Sequence, residues 1–376
     1  MISVCLILKN EELFIRDCLE SIKEIASEII VVDNGCVDRT MHICNEYGCK
    51  IINSPNSELD IGRDLYLKEA KYPWILTIDA DERMEMIEKS KLYSILDNTN
   101  EDVLAYNLRS FQYLGNGKWA DAELIRLFRN DKNIHYNGSS IHATLEPSIL
   151  KQGGKIETLD WYMHHVDILY LNRTSKKRDG YVNKLLLQLN KEEFKNNDRN
   201  SYYLYHIFLG MEYVAQKNYI KAKKCFDEAA NNENMFSDYA IDSLCRMYIL
   251  QGKYELIPDL IDLEKTVFVK DIDFYDKIDI MGNVFLKRNK NLAIALYEKA
   301  IRENIARPSD YINLAYLLKD TNREQAKKYM QIALEKNSYL RNDMIYGPGD
   351  EPNMFSQVSC FLVEINNVKD LLDELF

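Results

Sequence analysis

The chain has 376 residues, of which 46% are hydrophobic and 28% charged, and its formal net charge at pH 7 is -11. This composition is typical of a globular protein with two or three domains and excludes a disordered chain. The acidic balance, with no basic stripe, argues against nucleic acid as a partner. No apolar run approaches the ~20 residues that cross a bilayer, and the first residues lack a signal-peptide pattern. We therefore expect no membrane span and a cytoplasmic location.

The first half of the chain alternates between apolar runs and amphipathic stretches. Runs of strand length occur at Ile2–Leu8, Glu28–Val32, Cys49–Asn53, Trp74–Ile78, Val103–Leu108 and Leu124–Arg129. Helical spacing is found between the early strands, at Glu11–Ile22, Thr40–Tyr47 and Leu65–Lys71. Strands that alternate with helices predict a parallel sheet with right-handed crossovers. The first half is therefore expected to be a Rossmann-like α/β domain.

Polar side chains follow three of these strands, at the point where each strand ends. They are Asn10 with Glu11, Asp33, and Asp79 with Asp81. In a doubly wound sheet these ends lie at one edge, where such sheets bind their ligands. Asp79 and Asp81 project to the same side of an extended chain, and carboxylates are ligands suited to Mg²⁺ or Mn²⁺. A D-x-D pattern alone is also compatible with a solvated acidic turn, and Asp33 with the start of a turn.

Further candidates for catalysis follow the D-x-D pattern. Glu123 and Glu146 are carboxylates available as a general base, which must reach the acceptor proton within hydrogen-bond distance; an exposed surface acid is the competing interpretation. His164 and His165 follow a probable strand, and a neutral imidazole suits an ion that carboxylates already hold. We predict that His164, or else His165, joins Asp81 in binding the metal, the alternative being a structural histidine.

After Asp167 the pattern becomes helical to the end of the chain. An amphipathic helix is predicted at Lys176–Lys195, and a last helix at Phe355–Phe376. Between them, glycine, alanine and aromatic residues recur at the offsets of tetratricopeptide helix pairs. The clearest copies contain Gly210, Ala222 and Phe226, then Gly282, Ala293 and Tyr297, then Ala315, Ala326 and Met330. Stacked pairs form a concave surface suited to a peptide or a second protomer, although a purely structural role is also open.

These patterns predict four segments. Residues 1–170 form the α/β domain, 171–200 a helical linker, 201–345 the tetratricopeptide-like repeats, and 346–376 a capping helix. Terminal repeats need such a cover for their apolar face.

The strand-end motifs resemble those of family 2 glycosyltransferases, which have the GT-A fold. In this chain the motifs read L-K-N-E-E, E-I-I-V-V-D-N-G-C-V-D-R-T, G-R-D and W-I-L-T-I-D-A-D-E-R, within Met1–Asp167. The resemblance implies that Asp33 contacts the uracil of a nucleotide-sugar, that Arg63 lies near the nucleotide, and that Asp79 and Asp81 bind ribose and metal. The other positions that it assigns to nucleotide binding are Leu8, Asn10 and Glu11.

The acceptor half of the same family is matched by R-L-F-R and by the segment around His142. The resemblance implies a catalytic role for His142 beside the candidates Asp81, Glu123 and Glu146. Three positions depart from the family pattern: Ala143 stands in place of glutamate, Cys36 of serine and Asp64 of asparagine.

The resemblance implies a metal-dependent, inverting transfer of a hexose from a UDP-sugar. The joining of such a domain to tetratricopeptide repeats resembles the peptide S-glycosyltransferases of the sublancin type. The implied acceptor is then a cysteine, or a serine, of a bacteriocin precursor peptide. Two other interpretations stay open. One is a glycosyltransferase acting on a cell-envelope saccharide, with the repeats forming a homodimer or docking to a complex, and the other is a noncatalytic repeat scaffold.

Overall fold

A computed structural model describes residues 1–55, 59–136, 144–171, 175–191, 199–257, 273–350 and 359–376. These residues form two compact units. Unit 1 comprises Met1–Gln112 and Asp121–Val166, and unit 2 comprises Tyr113–Ala120 and Asp167–Phe376. Among the described helices, none combines the length and the apolar character that a bilayer crossing requires.

The strands have the following bounds: β1 Ile2–Leu8, β2 Glu28–Asp33, β3 Lys50–Asn53, β4 Trp74–Thr77, β5 Glu82–Met84, β6 Val103–Gly115, β7 Lys118–Arg129 and β8 Lys155–His165. Among the described residues of the first half, five helices accompany them: α1 Ile15–Ile22, α2 Thr40–Glu46, α3 Leu59–Glu69, α4 Lys89–Asp97 and α5 Glu146–Lys151. The second half contains α6 Ser175–Leu189, α7 Arg199–Ala215, α8 Tyr219–Ala230, α9 Ser237–Leu250, α10 Asp273–Arg288, α11 Lys290–Arg302, α12 Pro308–Leu318, α13 Arg323–Lys336 and α14 Val368–Leu375.

The described strands form one mixed sheet in the order β3-β2-β1-β4-β7-β6-β8-β5. Strands β3, β2, β1 and β4 are parallel, as the alternating pattern predicts. The register pairs Leu8 with Asp33 and Cys5 with Thr77, so the carboxyl ends of β1, β2 and β4 lie at one edge. The predicted combination of an α/β GT-A-type domain and a helical second half is confirmed.

Strands β6 and β7 form a longer hairpin than the sequence predicts. The predicted strands Val103–Leu108 and Leu124–Arg129 extend to a tight turn at Gly115-Asn116-Gly117. All three turn residues have positive φ, at 87°, 55° and 71°, which glycine and asparagine tolerate best. The turn residues Asn116 and Gly117 donate backbone hydrogen bonds to carbonyls of the 345–347 segment, at 2.7 and 2.8 Å. The tip of this hairpin therefore belongs to the helical unit.

The predicted capping helix Phe355–Phe376 is wrong over residues 359–367, where the chain is not helical. Buried Asn313 donates to the carbonyl of Cys360 and accepts from the N–H of Leu362, both at 3.0 Å. Asn283 makes the equivalent pair of bonds one residue further along. These side chains satisfy backbone groups that a helix would have paired internally, so this segment does not form a helix and α14 begins at Val368. Residues 355–358 of the predicted helix lie outside the described residues, and the capping role stays a prediction.

Small residues in the repeats allow close helix contact, as the tetratricopeptide pattern predicts. The Cα of Gly210 on α7 faces the ring of Phe226 on α8, and a Cβ at this position would lie 2.5 Å from the ring. Gly282 on α10 stands in the same relation to Tyr297 on α11. Since both aromatic rings are fully buried, neither can move away without disturbing the core.

We predict that Gly210→Ala destabilises the protein although alanine favours helix formation. Overpacking against Phe226 costs about 1–3 kcal/mol, and about 1 kcal/mol is recovered from helix propensity. Gly180→Ala is the matched control, because Gly180 also lies inside a helix but its added Cβ meets nothing within 4 Å. Urea unfolding followed by circular dichroism should show a lower midpoint for Gly210→Ala and an unchanged or higher one for Gly180→Ala. Equal midpoints would contradict the packing argument.

Candidate functional site

The loop after β2 is held by the carboxylate of Asp33. Its Oδ1 accepts hydrogen bonds from the backbone N–H groups of Gly35 at 2.9 Å and Cys36 at 2.8 Å. The carbonyl of Leu8, at the end of β1, accepts from the N–H of Asn34 at 2.9 Å. Only Oδ1 of Asp33 is engaged by these bonds, so Oδ2 can accept a hydrogen bond from a ligand.

The loop after β1 is tied to the same region. Asn10 has φ of 58° and its Oδ1 accepts from the N–H of Val37 at 2.8 Å. The N–H of Glu11 donates to Oγ1 of buried Thr40 at 2.7 Å. Since these bonds fix residues 10 and 11 outside the helix, α1 begins at Ile15 and not at Glu11 as predicted. The predicted nucleotide-binding residues of β1 and β2 are thus brought together.

Arg63 on α3 lies beside an aromatic pair. Its guanidinium stands 4.9 Å from the ring centroid of Tyr136, whose hydroxyl is 3.2 Å from that of Tyr66. The positive charge of Arg63 also lowers the pKa of Asp79. The structure therefore places Arg63 near the D-x-D motif, and its role in nucleotide binding stays a prediction.

Asp79 is paired with an arginine that the sequence analysis did not single out. Nη2 of Arg126 on β7 donates to Oδ2 of Asp79 at 2.9 Å and to Oε1 of Glu82 at 2.5 Å. The side chain of Asp79 is 42% exposed, whereas that of Glu82 is 2% exposed. Burial opposes the charged form of Asp79, but the charges of Arg126 and Arg63 outweigh it and lower its pKa. The Asp79 carboxylate is therefore ionised, while burial raises the pKa of Glu82.

The turn between the two aspartates is further held by Arg83. Its Nη1 donates to the carbonyls of Ala80 at 2.7 Å and Glu82 at 2.9 Å. Nη2 lies 3.6 Å from Oδ2 of Asp17 on α1. The turn is thus fixed by contacts from its own chain and from the neighbouring helix.

Asp81 has partners suited to a metal ion. Its Oδ1 lies 3.6 Å from Nε2 of His165, and its carbonyl accepts from the N–H of Val166 at 3.0 Å. One ligand atom each from Asp81, His165 and Asp167 fall within 4.8 Å of one another. Two ligands at about 2.1 Å from one ion lie roughly 3–4 Å apart, so the first pair has a suitable separation. Two carboxylates and an imidazole form a donor set that a divalent cation can use.

The geometry brings His165, and not His164, to Asp81. Successive side chains of a strand point to opposite faces, so adjacent histidines cannot share one site. The ring of His164 is 1% exposed, its Nε2 lies 2.6 Å from Oε2 of Glu85, and it packs 5.5 Å from Phe111. Burial lowers the pKa of His164 although Glu85 opposes this effect. His164 therefore has the buried, hydrogen-bonded environment of a structural histidine, which was the alternative to metal binding.

The predicted catalytic bases have differing surroundings. Glu123 on β7 accepts from Nε of Arg109 at 3.3 Å and from the hydroxyl of Thr158 at 3.1 Å. Glu146 is exposed at the first residue of α5. His142 lies outside the described residues. The structure places neither described glutamate in contact with the Asp81 cluster, and their catalytic roles stay predictions.

Two residues that sequence reasoning missed had a visible signal. Arg126 is the first arginine of R-L-F-R, and Glu82 directly follows the D-x-D. The antiparallel register of β4 and β7 pairs Leu76 with Leu127, which places Arg126 beside the end of β4. If the pairing of β7 with β4 could be predicted from the sequence, the ion pair of Arg126 with Asp79 and Glu82 could be predicted as well.

The parallel strands of the mixed sheet bring a carboxylate loop, an acidic pair and an arginine to one edge. Residues 3–146 match the family described as Glycosyl transferase family 2. The chain is thus similar to glycosyltransferases of this family over these residues.

Three curated relatives resemble parts of the chain. A tetratricopeptide-repeat-containing protein of Synechococcus elongatus is 32% identical over 40% of this chain and 36% of its own length. An uncharacterized glycosyltransferase of Rickettsia typhi is 29% identical over 51% of this chain and 68% of its own. A lipopolysaccharide core biosynthesis glycosyltransferase of Rhizobium meliloti is 26% identical over 39% of this chain and 57% of its own. The chain thus spans about a third of the first relative, about two thirds of the second and somewhat over half of the third.

We predict that Arg126→Met strongly destabilises unit 1. Removing one partner of a buried ion pair leaves an uncompensated charge on Glu82 and costs about 3–5 kcal/mol. The double variant Arg126→Met with Glu82→Gln should regain part of this loss, because it removes the stranded charge as well. The matched control is Arg109→Met, which removes a half-exposed pair with Glu123 worth about 0–1 kcal/mol. Urea unfolding of the four proteins measures these differences, and equal losses for Arg126→Met and Arg109→Met would contradict the analysis.

Proposed function

We propose that this protein transfers a hexose from a UDP-sugar to an acceptor in a metal-dependent, inverting reaction. The observation that carries the proposal is the grouping of Asp81, His165 and Asp167 as ligand donors next to an ionised Asp79. The match of residues 3–146 to the Glycosyl transferase family 2 model supports the same reaction class.

The nucleotide would be bound by groups that the fold already holds in position. Asp33 presents Oδ2 to a uracil N–H, because its Oδ1 is occupied by the loop. Asp79 is kept ionised by Arg126 and can accept from ribose hydroxyls. The guanidinium of Arg63 lies near the same aspartate and is suited to a diphosphate. Because these groups are fixed before the ligand arrives, little reorganisation accompanies binding.

Asp81, with His165 and Asp167, would hold the divalent cation. Mg²⁺ or Mn²⁺ bound there would neutralise the charge that develops on the departing diphosphate. The protein's contribution is to keep both carboxylates and the imidazole of this cluster within reach of one ion. The bond from the anomeric carbon to the diphosphate breaks as the acceptor attacks from the opposite face, which inverts the configuration.

The proposed acceptor is a cysteine, or a serine, of a peptide bound along the helical repeats. Stacked helix pairs offer the extended surface that peptides require. A thiol has an ordinary pKa of ~8.5 and supplies some thiolate at neutral pH, so the demand on a general base is modest. Glu123, Glu146 and His142 are the candidates for that base. The proposed acceptor peptide is a bacteriocin precursor. We also propose that the protein forms a homodimer and acts in the cytoplasm.

A saccharide of the cell envelope is the second candidate acceptor. The name of the Rhizobium meliloti relative, which refers to lipopolysaccharide core biosynthesis, favours this candidate. A noncatalytic scaffold is the remaining alternative, and the retained pair Asp79 and Asp81 argues against it.

We predict that Asp81→Asn abolishes both metal binding and sugar transfer while the fold survives. The substitution removes a charged ligand from the cluster, so Mn²⁺ titration followed by electron paramagnetic resonance should show at least tenfold weaker binding. Asp33→Asn should instead weaken UDP binding about tenfold or more and leave Mn²⁺ binding intact. The matched control is Asp97→Asn, an exposed carboxylate on α4, which should change neither. Full Mn²⁺ affinity in Asp81→Asn would disprove the metal site.

The acceptor class is decided by mass spectrometry of products. The enzyme is incubated with UDP-glucose, Mn²⁺ and either a cysteine-bearing precursor peptide, its cysteine-to-serine form, its cysteine-to-alanine form, or an envelope oligosaccharide. We expect a mass gain of one hexose on the cysteine peptide and none on the alanine form. A product only on the oligosaccharide would contradict the peptide acceptor, and the absence of UDP binding with or without metal would favour the scaffold.

A further inference from the structure

A cavity of about 430 Å³, including its open mouth, lies within unit 2. Its walls come from α9, α10, the hairpin tip at Lys118 and the open segment 359–363. The cavity has no part in the nucleotide or metal chemistry described above.

One wall of the cavity is built rigidly. Asn283, which is buried, accepts from the N–H of Val363 at 2.8 Å and donates to the carbonyl of Phe361 at 3.4 Å. The ring of Phe361 packs edge-on against Trp119 with centroids 4.7 Å apart. A cavity with such a wall exists before a ligand arrives, which reduces the entropic cost of binding.

The charges in the cavity do not balance. Nε and Nη2 of Arg246 meet both carboxylate oxygens of Asp279 at 3.0 and 3.2 Å, so this pair is neutral overall. Within the part of the chain that the structure describes, no carboxylate pairs with Lys118. Its surroundings remove water from the ammonium, and this burial lowers the pKa of Lys118. Among the described residues that line the cavity, Lys118 is therefore a cation without a carboxylate partner.

Apolar side chains border the mouth of the cavity. Ile249 is buried, whereas Leu250 is 39% exposed and Val363 is 41% exposed. Exposed aliphatic groups beside a desolvated ammonium match a ligand that joins a single negative charge to an apolar group. A carboxylate carries one charge, whereas a phosphate at neutral pH carries nearly two and would exceed the charge offered.

We propose that this cavity binds the C-terminal carboxylate of a peptide whose last residues are apolar, with Lys118 as the ion-pairing group. Leu250 and Val363 contact these apolar residues. The site is a binding site for a partner or acceptor peptide and requires no transferase activity. Its test is therefore independent of the proposed reaction.

The probe is a fluorescein-labelled pentapeptide, Leu-Ala-Val-Ala-Leu, with a free C-terminal carboxylate, compared with the same peptide ending in an amide. Anisotropy titrations use the full chain without metal or nucleotide. We expect the amide to bind at least tenfold more weakly, because a charge-assisted hydrogen bond contributes about 1.5–3 kcal/mol, or a factor of about 10–100. Lys118→Met should bind the acid peptide as weakly as the amide peptide, and Lys118→Arg should retain most of the affinity for the acid peptide. Lys253→Met, at an exposed lysine of the same unit, is the control and should change nothing.

Thermal unfolding provides the second measurement. Because no acidic partner of Lys118 occurs among the described residues, Lys118→Met should unfold at the same temperature as the unchanged protein or at a higher one. A marked decrease would show that the lysine has a structural role and would overturn the proposal. Equal affinity for acid and amide, full affinity in Lys118→Met, or no binding of either peptide at millimolar concentration would overturn it as well.

Discussion

Three carboxylates within four residues, Asp79, Asp81 and Glu82, follow the buried strand β4, and their mutual repulsion must be balanced for this turn to exist. Arg126 reaches from β7 to two of them, and Arg83 binds the carbonyls of the turn itself. Because Glu82 is almost fully buried, losing its ion pair with Arg126 would destabilise the turn more than losing any other of the contacts described above. The antiparallel pairing of β4 with β7 delivers Arg126 to this position, so the sheet topology and the charge balance depend on each other.

This balance separates the roles of the two aspartates in the D-x-D motif. Asp79 forms an ion pair with Arg126. This pair keeps the Asp79 carboxylate ionised but occupies one of its two oxygens. Asp81 faces His165, and its own carbonyl is held by the N–H of Val166, so its carboxylate is directed toward the ligand cluster. The two aspartates have different partners because side chains alternate between the two faces of an extended chain and because β5 pairs with β8. This pairing places Glu82 opposite His165.

Local signals were sufficient for the parallel strands, the strand-end carboxylates and the small residues of the repeats. They failed where a contact with a residue distant in the sequence determines the local structure. Adjacent histidines look alike in sequence, and only the register of β8 determines that His165 meets Asp81 while His164 meets Glu85. The last helix was predicted too long because Asn283 and Asn313 bind the backbone of residues 360–363, and no local pattern in that segment reveals these bonds.

The same physical device occurs in both units. A buried arginine is neutralised by carboxylates, as Arg126 is by Asp79 and Glu82, and as Arg246 is by Asp279. Removing one partner of such a buried pair leaves a charge without compensation and destabilises the fold. Other charged groups are available to contact a ligand: the carboxylates of Asp81 and Asp167 in the cluster with His165, and the ammonium of Lys118 in the cavity of unit 2. The buried ion pairs hold the geometry, and these other groups set the sign of the ligand that we propose for each site, a cation in one case and a carboxylate in the other.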